Sequence, residues 1–526
     1  MKRNIALFFL SLLGFVVNPM SAMAQEAYAV MSPDSTTLTF YYDKNKSSRQ
    51  GTAYELDEYP EWINMEVLMG SPWKTCFSVV FDRRFLKYSF GYGGKNPTFT
   101  TVVFDKSFKN ARPKSCNLWF AGFENLTKIE GLENLNTSKV VGMSCMFKGC
   151  SKLRNLDLSG FNTSNVTDMS SMFYGCEGLT NLDLSSFDTS NVTDMRGMFK
   201  DCYGLTTVDV SKFNTAKVTD MRCMFYDCRS LKDLDVSKFN TAKVTNMILM
   251  FSGCRNLTNL DVSNFNTSNV TNIEGMFYDC CRLTNLDVSG FNTSNVTNME
   301  NMFYNCFKLT SLDVSNFNTS SVTDMSEMFY DCCRLTSLDV SNFNTSNVTK
   351  MNEMFFDCRS LTSLDVSNFN TSHVTDMSGM FSDCRSLTSF DVSNFNTSKV
   401  TDMSAMFREC RSLQNLDMSN FNTSNVTKMN EMFKNCKSLP SLDLSNFNSS
   451  NINEMIQMFA GCTNLKTIYA GEGRDTSNVK KSEEMFTDCI RLVGGKKTKF
   501  DSGIVDATRA KIDGGKANPG YFTAKK

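Results

Sequence analysis

The stretch LTSLDVSNFNTSSVTDMSEMFYDCCR, residues 309–334, recurs with few changes along most of the chain. Its Met-Phe pair returns in twelve consecutive steps of 26 residues from Met146 to Met458, and a further copy follows at Met485. A unit of this length cannot bury an apolar face alone, so each copy must pack against its neighbours. The repeat therefore predicts a stacked solenoid.

One copy divides into two parts with different spacing. Leu309, Leu312 and Val314 show the pattern L-x-x-L-x-L, typical of a short strand that turns alternate residues inward. The second part has apolar residues three and four positions apart, which predicts one face of a short helix: Val322, Met325, Met328, Phe329 and Cys332. We therefore predict an α/β solenoid, leucine-rich-repeat-like, with one short strand and one short helix in each 26-residue coil.

The repeat also resembles a known group. The string LTSLDVSNFNTSNVTxMxxMFxDC is similar to the 26-residue repeat of the BspA-like leucine-rich repeat surface proteins of bacteria, and two end segments, AYAVMSPDSTTLTFYYD and IDGGKANPGYFT, resemble the same group. The resemblance implies a secreted or cell-surface protein that adheres to host matrix, host cells or other bacteria. Ordinary leucine-rich repeats commonly carry an Asn ladder where this chain has Phe317, so their binding sites do not transfer directly.

The first residues have the features of a secretory signal. Lys2 and Arg3 precede an apolar run, and Ala22 and Ala24 form a small-residue cleavage site, so we predict a signal peptide over residues 1–24. The apolar run is too short for a bilayer-spanning helix, and no later stretch is long and apolar enough to span. We therefore expect an exported protein without a membrane span after signal removal.

Three further regions follow from where the period starts and stops. Residues 25–115 lack the period and alternate in stretches such as Thr37 to Tyr42 and Phe77 to Phe81, which predicts a β-rich N-terminal capping domain. Residues 116–492 should form about fourteen to fifteen coils, and residues 493–526 a C-terminal cap. Both caps would cover solenoid ends that otherwise expose core and strand edges.

Composition argues against several functions. A net charge of −1 speaks against nucleic acid as the main partner. The only histidine, His373, occupies a turn position filled elsewhere by Asn, Lys or Ser, and a Ser-His-Asp triad, a Cys-His pair and an H-E-x-x-H zinc site all lack their parts. We therefore predict a protein that is not an enzyme and needs no cofactor.

Cysteines recur at a fixed position of the repeat and so form a regular column. Fourteen occupy one register, from Cys150 to Cys462 in steps of 26 and then Cys489. Adjacent members could pair in an oxidising compartment, but we favour free thiols that pack into the core as small hydrophobes. Pairing of Cys76 with Cys116 in the N-terminal domain stays open.

The candidate ligand surface is a row of aspartates, here called the outer aspartate row, which lie between the inward Leu and Val of successive strands: Asp157, Asp183, Asp209, Asp235, Asp261, Asp287, Asp313, Asp339, Asp365, Asp391, Asp417 and Asp443. Its centre, Asp261 to Asp365, is the predicted site. Mutual repulsion calls for compensation, which we expect from Ser or Thr and backbone donors of adjacent coils. Divalent cations or a basic partner are the open alternatives, and Arg229, Arg255, Arg359, Arg385 and Arg411 could contribute at a distance.

Our leading functional prediction is a non-catalytic adhesion solenoid that offers many similar weak contacts to host extracellular matrix proteins, glycans or bacterial surfaces. The alternative is a structural spacer or surface-layer element without a dedicated ligand. A third interpretation is ice or mineral binding through a flat Thr and Asp array. Turn threonines from Thr163 to Thr423 could contact sugars or water, although we favour local hydrogen bonding for them.

Overall fold

The computed structural model describes residues 25–56, 98–471, 476 and 478–525. The predicted signal peptide with Ala22 and Ala24, the stretch Phe77 to Phe81 and Cys76 lie outside the described residues. Among the described residues the regular elements are short strands and single turns of 3-10 helix. Helix in that part of the chain is limited to Lys46–Ser48, Lys106–Asn110, Leu132–Asn134 and Ala507–Arg509.

Five strands form a mixed sheet at the N-terminal end, in the order β3-β1-β2-β4-β5. Strand β1 pairs antiparallel with β2 and β3, whereas β4 pairs parallel with β2 and β5. The strands are β1 (Glu26–Met31), β2 (Thr37–Asp43), β3 (Thr52–Glu55), β4 (Thr101–Phe104) and β5 (Lys128–Glu130). Strand β2 confirms the alternating pattern predicted there, and its Phe40 ring stacks on Trp119 with centroids 5.4 Å apart. The sheet therefore joins the core of the first coils.

The coils stack with their apolar columns inward. One hydrophobic core runs from Ala29 to Phe522. Phenylalanine rings of the Met-Phe pairs lie one above another from Phe147 to Phe486, with centroids 5.3 to 5.9 Å apart. Stacking of this kind adds to the burial of each ring. The predicted solenoid and its inward columns are therefore present.

The predicted short helix is wrong. Residues 326–331 form consecutive turns, and Glu327 and Asp331 have left-handed φ values of 57° and 52°. A right-handed α-helix needs a negative φ at every residue, so these two residues exclude it. In a helix the amide groups would also bond within the same chain segment. Here the amide groups of Met325, Glu327, Phe329 and Asp331 donate instead to carbonyl oxygens of the next coil, at 2.8 to 3.2 Å.

The spacing of three and four nevertheless placed the correct residues inside. Successive turns return the chain to the core about as often as a helix would, so Val322, Met325, Met328, Phe329 and Cys332 are all fully buried. A backbone ladder between coils replaces the expected bonds within a helix. Each coil thus consists mainly of turns, with at most a short strand, and is not an α/β unit.

The predicted strand within each coil is only partly formed. Two-residue strands occur at β6 (Asn181–Leu182) and β7 (Thr207–Val208), which pair in parallel, and longer ones at β8 (Ser441–Leu444) and β9 (Thr467–Ala470). Residues 311–314 are extended without strand hydrogen bonding, although Leu312 and Val314 are buried as predicted. The ladder on the turn side therefore supplies most of the backbone hydrogen bonds between central coils.

The C-terminal segment returns to the last coils. Strand β10 (Phe522–Ala524) pairs in parallel with β9, which completes a three-stranded sheet of order β10-β9-β8. The buried rings of Tyr521 and Phe522 pack against the last ring of the column, Phe486, with centroid distances of 5.1 and 6.1 Å. The domain boundaries at 24, 115 and 492, and the capping role of the two end regions, stay predictions.

Candidate binding surface

The outer aspartate row lies on the surface, between buried neighbours. Asp313 is exposed while Leu312 and Val314 on either side are buried. Its Oδ1 accepts hydrogen bonds from the Ser315 amide at 3.0 Å and the Ser315 hydroxyl at 2.7 Å. The predicted central members have this arrangement in common: Asp261, Asp287, Asp313, Asp339 and Asp365. The structure thus brings the five together in one exposed row, and their role in binding stays a prediction.

Compensation for these charges comes from within the same coil, not from adjacent coils as expected. The Ser289 hydroxyl and amide hold the pKa of Asp287 below its usual value, and Ser341 and Ser367 do the same for Asp339 and Asp365. An Asp that bonds the backbone two residues on forms a local turn, and the Asp-x-Ser spacing of the sequence supplies both donors. The carboxylates of Asp287, Asp339 and Asp365 therefore stay ionised at neutral pH, and all five central members are exposed.

A second acidic set was missed from the sequence. It lies directly before ladder cysteines, and four of its seven members also lie two residues before an arginine. We call it the inner acidic row: Asp201, Asp227, Asp279, Asp331, Asp357, Asp383 and Glu409. The arginines were expected to compensate the outer row, but they pair here instead. Arg229 bonds Asp227 at 2.8 Å, and Arg255 bonds Asp279 of the next coil at 2.6 Å. The recurring D-C-R triplet could have revealed the pairs within one coil, such as Arg229 with Asp227, but not the pair of Arg255 with Asp279.

The remaining arginines repeat the arrangement. Arg359, Arg385 and Arg411 bond Asp357, Asp383 and Glu409 in their own coils. Their side chains are 39 to 44% exposed, so each pair is worth well under about 1 kcal/mol. Burial raises the pKa of Asp201 to about 6, while neighbouring Lys200 opposes that rise. The inner row is therefore half-buried and largely neutralised, unlike the outer row.

Two threonine rows have opposite environments. The turn threonines are buried, and they bond the next coil rather than their own turn as predicted: Thr215 is 1% exposed, donates to the Asn240 carbonyl at 2.9 Å and accepts from the Asn240 amide at 2.7 Å. A second row is exposed, and there Thr219 donates to the Thr193 carbonyl at 3.3 Å. The first row links coils and offers no surface to sugars. Only the second row, which the sequence reasoning did not separate, faces solvent.

The cysteine column lies in the core. Every member is free and buried, and each thiol donates to a phenylalanine carbonyl, as Cys332 does to Phe303 at 3.2 Å. Burial raises the pKa of Cys462 to about 12, and it raises that of the other column thiols as well. A neutral, hydrogen-bonded thiol serves packing rather than nucleophilic chemistry. The preference for buried free thiols over disulfides is thus confirmed for these positions.

Other candidate chemistry has little support in the described part of the chain. His373 is exposed, as predicted, with Nδ1 3.1 Å from the Ser346 carbonyl oxygen. No group of three or more His, Cys, Asp or Glu suited to a metal ion occurs among the described residues. Within that same part, no helix has the length and apolar character needed to cross a bilayer.

A family model described as "Mycoplasma protein of unknown function, DUF285" matches residues 114–233, 204–312, 307–390 and 387–497. No curated protein matches the chain. Among solved structures, it is similar to a leucine-rich repeat protein from Bacteroides ovatus, with 16% identity, 77% of this chain and 80% of that chain covered, and a TM-score of 0.35.

Two Listeria monocytogenes structures are also similar. The functional domain of InlJ, whose description mentions a cysteine ladder, has 18% identity and a TM-score of 0.20, with 65% of this chain and 64% of that chain covered. An internalin, InlF, has 15% identity and a TM-score of 0.19, with 65% of this chain and 85% of that chain covered. TM-scores this low carry no argument about the function of this chain.

Proposed function

The chain belongs to the family described as Mycoplasma protein of unknown function, DUF285, and from that premise we propose that it is an exported, non-catalytic binding solenoid of the bacterial surface. In this proposal it acts as the BspA-like repeat proteins that its sequence resembles, by adhesion to host extracellular matrix proteins, glycans or other bacteria. It acts without a cofactor, and nucleic acid is not a partner.

The observation that carries this proposal is the outer aspartate row. The Met, Phe, Cys and buried Thr columns are accounted for by the core and by hydrogen bonds between coils. The inner acidic row is largely neutralised by arginine. The central outer carboxylates have neither explanation: Asp261, Asp287, Asp313, Asp339 and Asp365 are exposed and have no ion pair among the described residues, whereas Asp443 near the C-terminal end pairs with Lys525. Their own turns need a hydrogen-bond acceptor at this position but not a charge. A regular exposed charge that the fold does not require is available for binding.

The repeat also determines the kind of partner. Identical groups one coil apart suit an extended or multivalent ligand, because several weak contacts then form on one molecule. Linked contacts of this kind raise overall affinity by about 10²- to 10⁴-fold over a single contact. A deep pocket is not needed for such binding.

The test uses charge removal that preserves the fold. Full-length protein is immobilised and its binding to a panel of matrix proteins, mucin-type glycans and bacterial cells is measured by surface plasmon resonance. The variant carries Asp287→Asn, Asp313→Asn and Asp339→Asn. Asparagine keeps the turn hydrogen bond, as Asn266 does with the Ser268 amide at 3.0 Å. Saturable binding that weakens at least about tenfold in this variant is the expected result.

A matched control removes three charges from another register: Asp168→Asn, Asp376→Asn and Asp402→Asn. Each of these aspartates also accepts from a serine amide two residues on, and three other coils carry Asn in the same register, at Asn246, Asn272 and Asn298. Equal loss in both triple variants would show that net charge alone matters and would reject the outer row as the site. No saturable binding to any target would favour the alternative function, a structural spacer.

A further inference from the structure

The C-terminal end of the solenoid carries positive charge that the balance of the whole chain conceals. The chain has a net charge of −1, yet the segment IRLVGGKKTKF, residues 490–500, contains no acidic residue. Its basic side chains are all exposed, and none has an ion pair among the described residues: Arg491, Lys496, Lys497 and Lys499. The segment is therefore a local concentration of charge without internal compensation.

A hairpin fixes the positions of these side chains, and we call residues 490–500 the basic hairpin. Val493 and Lys499 face each other across an antiparallel bridge, which places both on one face. Asp513 is 3% exposed and holds the turn between them, because its Oδ2 accepts from the amides of Lys496 at 2.8 Å and Thr498 at 3.0 Å. The lysines at the tip therefore project from an ordered backbone.

Exposed apolar side chains lie in the same segment. Ile490 is 65% exposed and Val493 is 38% exposed, and they are two of only four large apolar side chains exposed in the described part of the chain. Ile490 directly follows a ladder cysteine, a position that holds Arg411 and Lys437 in earlier coils. The coil therefore does not require an apolar residue there, and its exposure is a local feature of this end.

The charged and apolar side chains converge on one open groove. The Val493 amide donates to the Lys466 carbonyl at 3.0 Å, which joins the basic hairpin to the last coil. Lys466 is exposed and also has no ion pair within the described ranges. Asp488 and Asp501 flank the hairpin and offset two of these five cations. The groove is lined by residues that include Lys466, Ile490, Arg491, Val493, Lys499 and Phe500.

A basic surface with apolar side chains at its centre suits an anionic amphiphile, and the kind of cation favours lipid over protein. Lysine is depleted in protein interfaces, where arginine and aromatic residues are enriched. Here Arg491 is accompanied by four lysines, whose ammonium groups attract phosphate as point charges without a fixed geometry. Clustered lysines beside short apolar side chains are typical of proteins that lie on anionic bilayers.

We propose that the basic hairpin and its groove bind the surface of an anionic phospholipid bilayer. In this arrangement the lysines lie among the headgroups, and Ile490 and Val493 enter the boundary with the acyl chains. The protein then attaches by its C-terminal end, while the outer aspartate row of the coils remains available to a second partner. The inference goes beyond the proposed binding function, because it supplies a means of retention at a membrane.

The experiment measures co-sedimentation of the full-length protein with vesicles. Phosphatidylcholine vesicles with and without about one-third phosphatidylglycerol are compared at an ionic strength of about 0.15 M, and binding to the anionic vesicles alone is expected. The variant Lys496→Gln/Lys497→Gln/Lys499→Gln should lower the partition coefficient at least about tenfold, since each lysine near an anionic surface contributes roughly fivefold. The turn should persist, because Asp513 bonds the Lys496 backbone and Gln457 adopts the left-handed φ that Lys497 needs.

A matched control removes three exposed lysines of the coils, with Lys212→Gln, Lys238→Gln and Lys243→Gln. It makes the same change in net charge and should alter the partition coefficient less than about twofold. A second variant, Ile490→Ser, tests the apolar contact and should lower the partition coefficient about fivefold. Circular dichroism against the parent verifies that each variant folds.

Three results would overturn the proposal. They are equal binding of the parent to both kinds of vesicle, equal loss in the hairpin variant and the lysine control, and unchanged binding by Ile490→Ser. Binding to soluble heparin without binding to the anionic vesicles would assign the basic hairpin to an acidic polymer instead and would also reject the lipid. None of these results bears on the outer aspartate row, whose own test uses panel targets without lipid.

Discussion

Replacement of Thr215 by valine is expected to destabilise the solenoid, although valine has nearly the same shape. The Thr215 hydroxyl bonds both the amide and the carbonyl of Asn240 in the next coil, and the side chain is 1% exposed. Loss of two such bonds costs about 0.5–1.5 kcal/mol each. The added methyl group returns at most about 0.8 kcal/mol. With about 1 kcal/mol for each bond, the net loss in the free energy of unfolding is expected to be roughly 1 kcal/mol, within a range of about 0.2–3 kcal/mol.

The matched control lies four residues away. Thr219→Val makes the same chemical change at an exposed threonine with one long bond to the Thr193 carbonyl, so its effect should stay within about 0.5 kcal/mol. Urea unfolding followed by far-UV circular dichroism measures both variants. Because long repeat arrays can unfold in parts, amide hydrogen exchange of peptides around residues 215–240 measures the same effect locally. Equal stability of the two variants would refute the assignment of Thr215 as a link between coils.

Two further predictions concern buried groups. Asp201 has a pKa raised to about 6, so the folded protein binds its proton more readily than the unfolded chain and stability falls as pH rises from about 4 to 7. The variant Asp201→Asn should be tolerated, because Asn305 occupies the same register in another coil. Between the two pH values, its free energy of unfolding from urea titration should fall by about 1–3 kcal/mol less than that of the parent protein. An equal fall in both proteins would contradict the assignment. Iodoacetamide applied to native protein should label the partly exposed thiols Cys145, Cys281 and Cys333, whereas the column thiols should react only after unfolding. Labelled column thiols in native protein, or disulfides between them, would count against a packed reduced column.

The inward face of the coil could be predicted from its residues, but its backbone could not. Val322, Met325 and Phe329 are buried as their spacing indicated. Two backbone conformations satisfy that spacing, a helix and a series of turns, because both bring the chain back to the core every three to four residues. The left-handed φ values of Glu327 and Asp331 decide between them, and they are stabilised by hydrogen bonds to another coil that no local pattern encodes.

Some features of the candidate surface could be predicted from one coil, whereas others depend on contacts between coils. Exposure of Asp313 followed from its place between two inward residues, and the Asp-x-Ser turn is a local signal. Pairing of Arg255 with Asp279 was missed because the two belong to different coils. The opposite environments of Thr215 and Thr219 were missed because composition alone does not separate them.

The sequence by itself determined the solenoid, its 26-residue coil, the core columns and the outward position of the aspartates, because period and apolar spacing are properties of a single coil. Only the tertiary structure decided the acceptor of each turn amide and the partner of Arg255. These contacts join residues about one coil apart. They form only when neighbouring coils are stacked in register, so the sequence of one coil does not determine them.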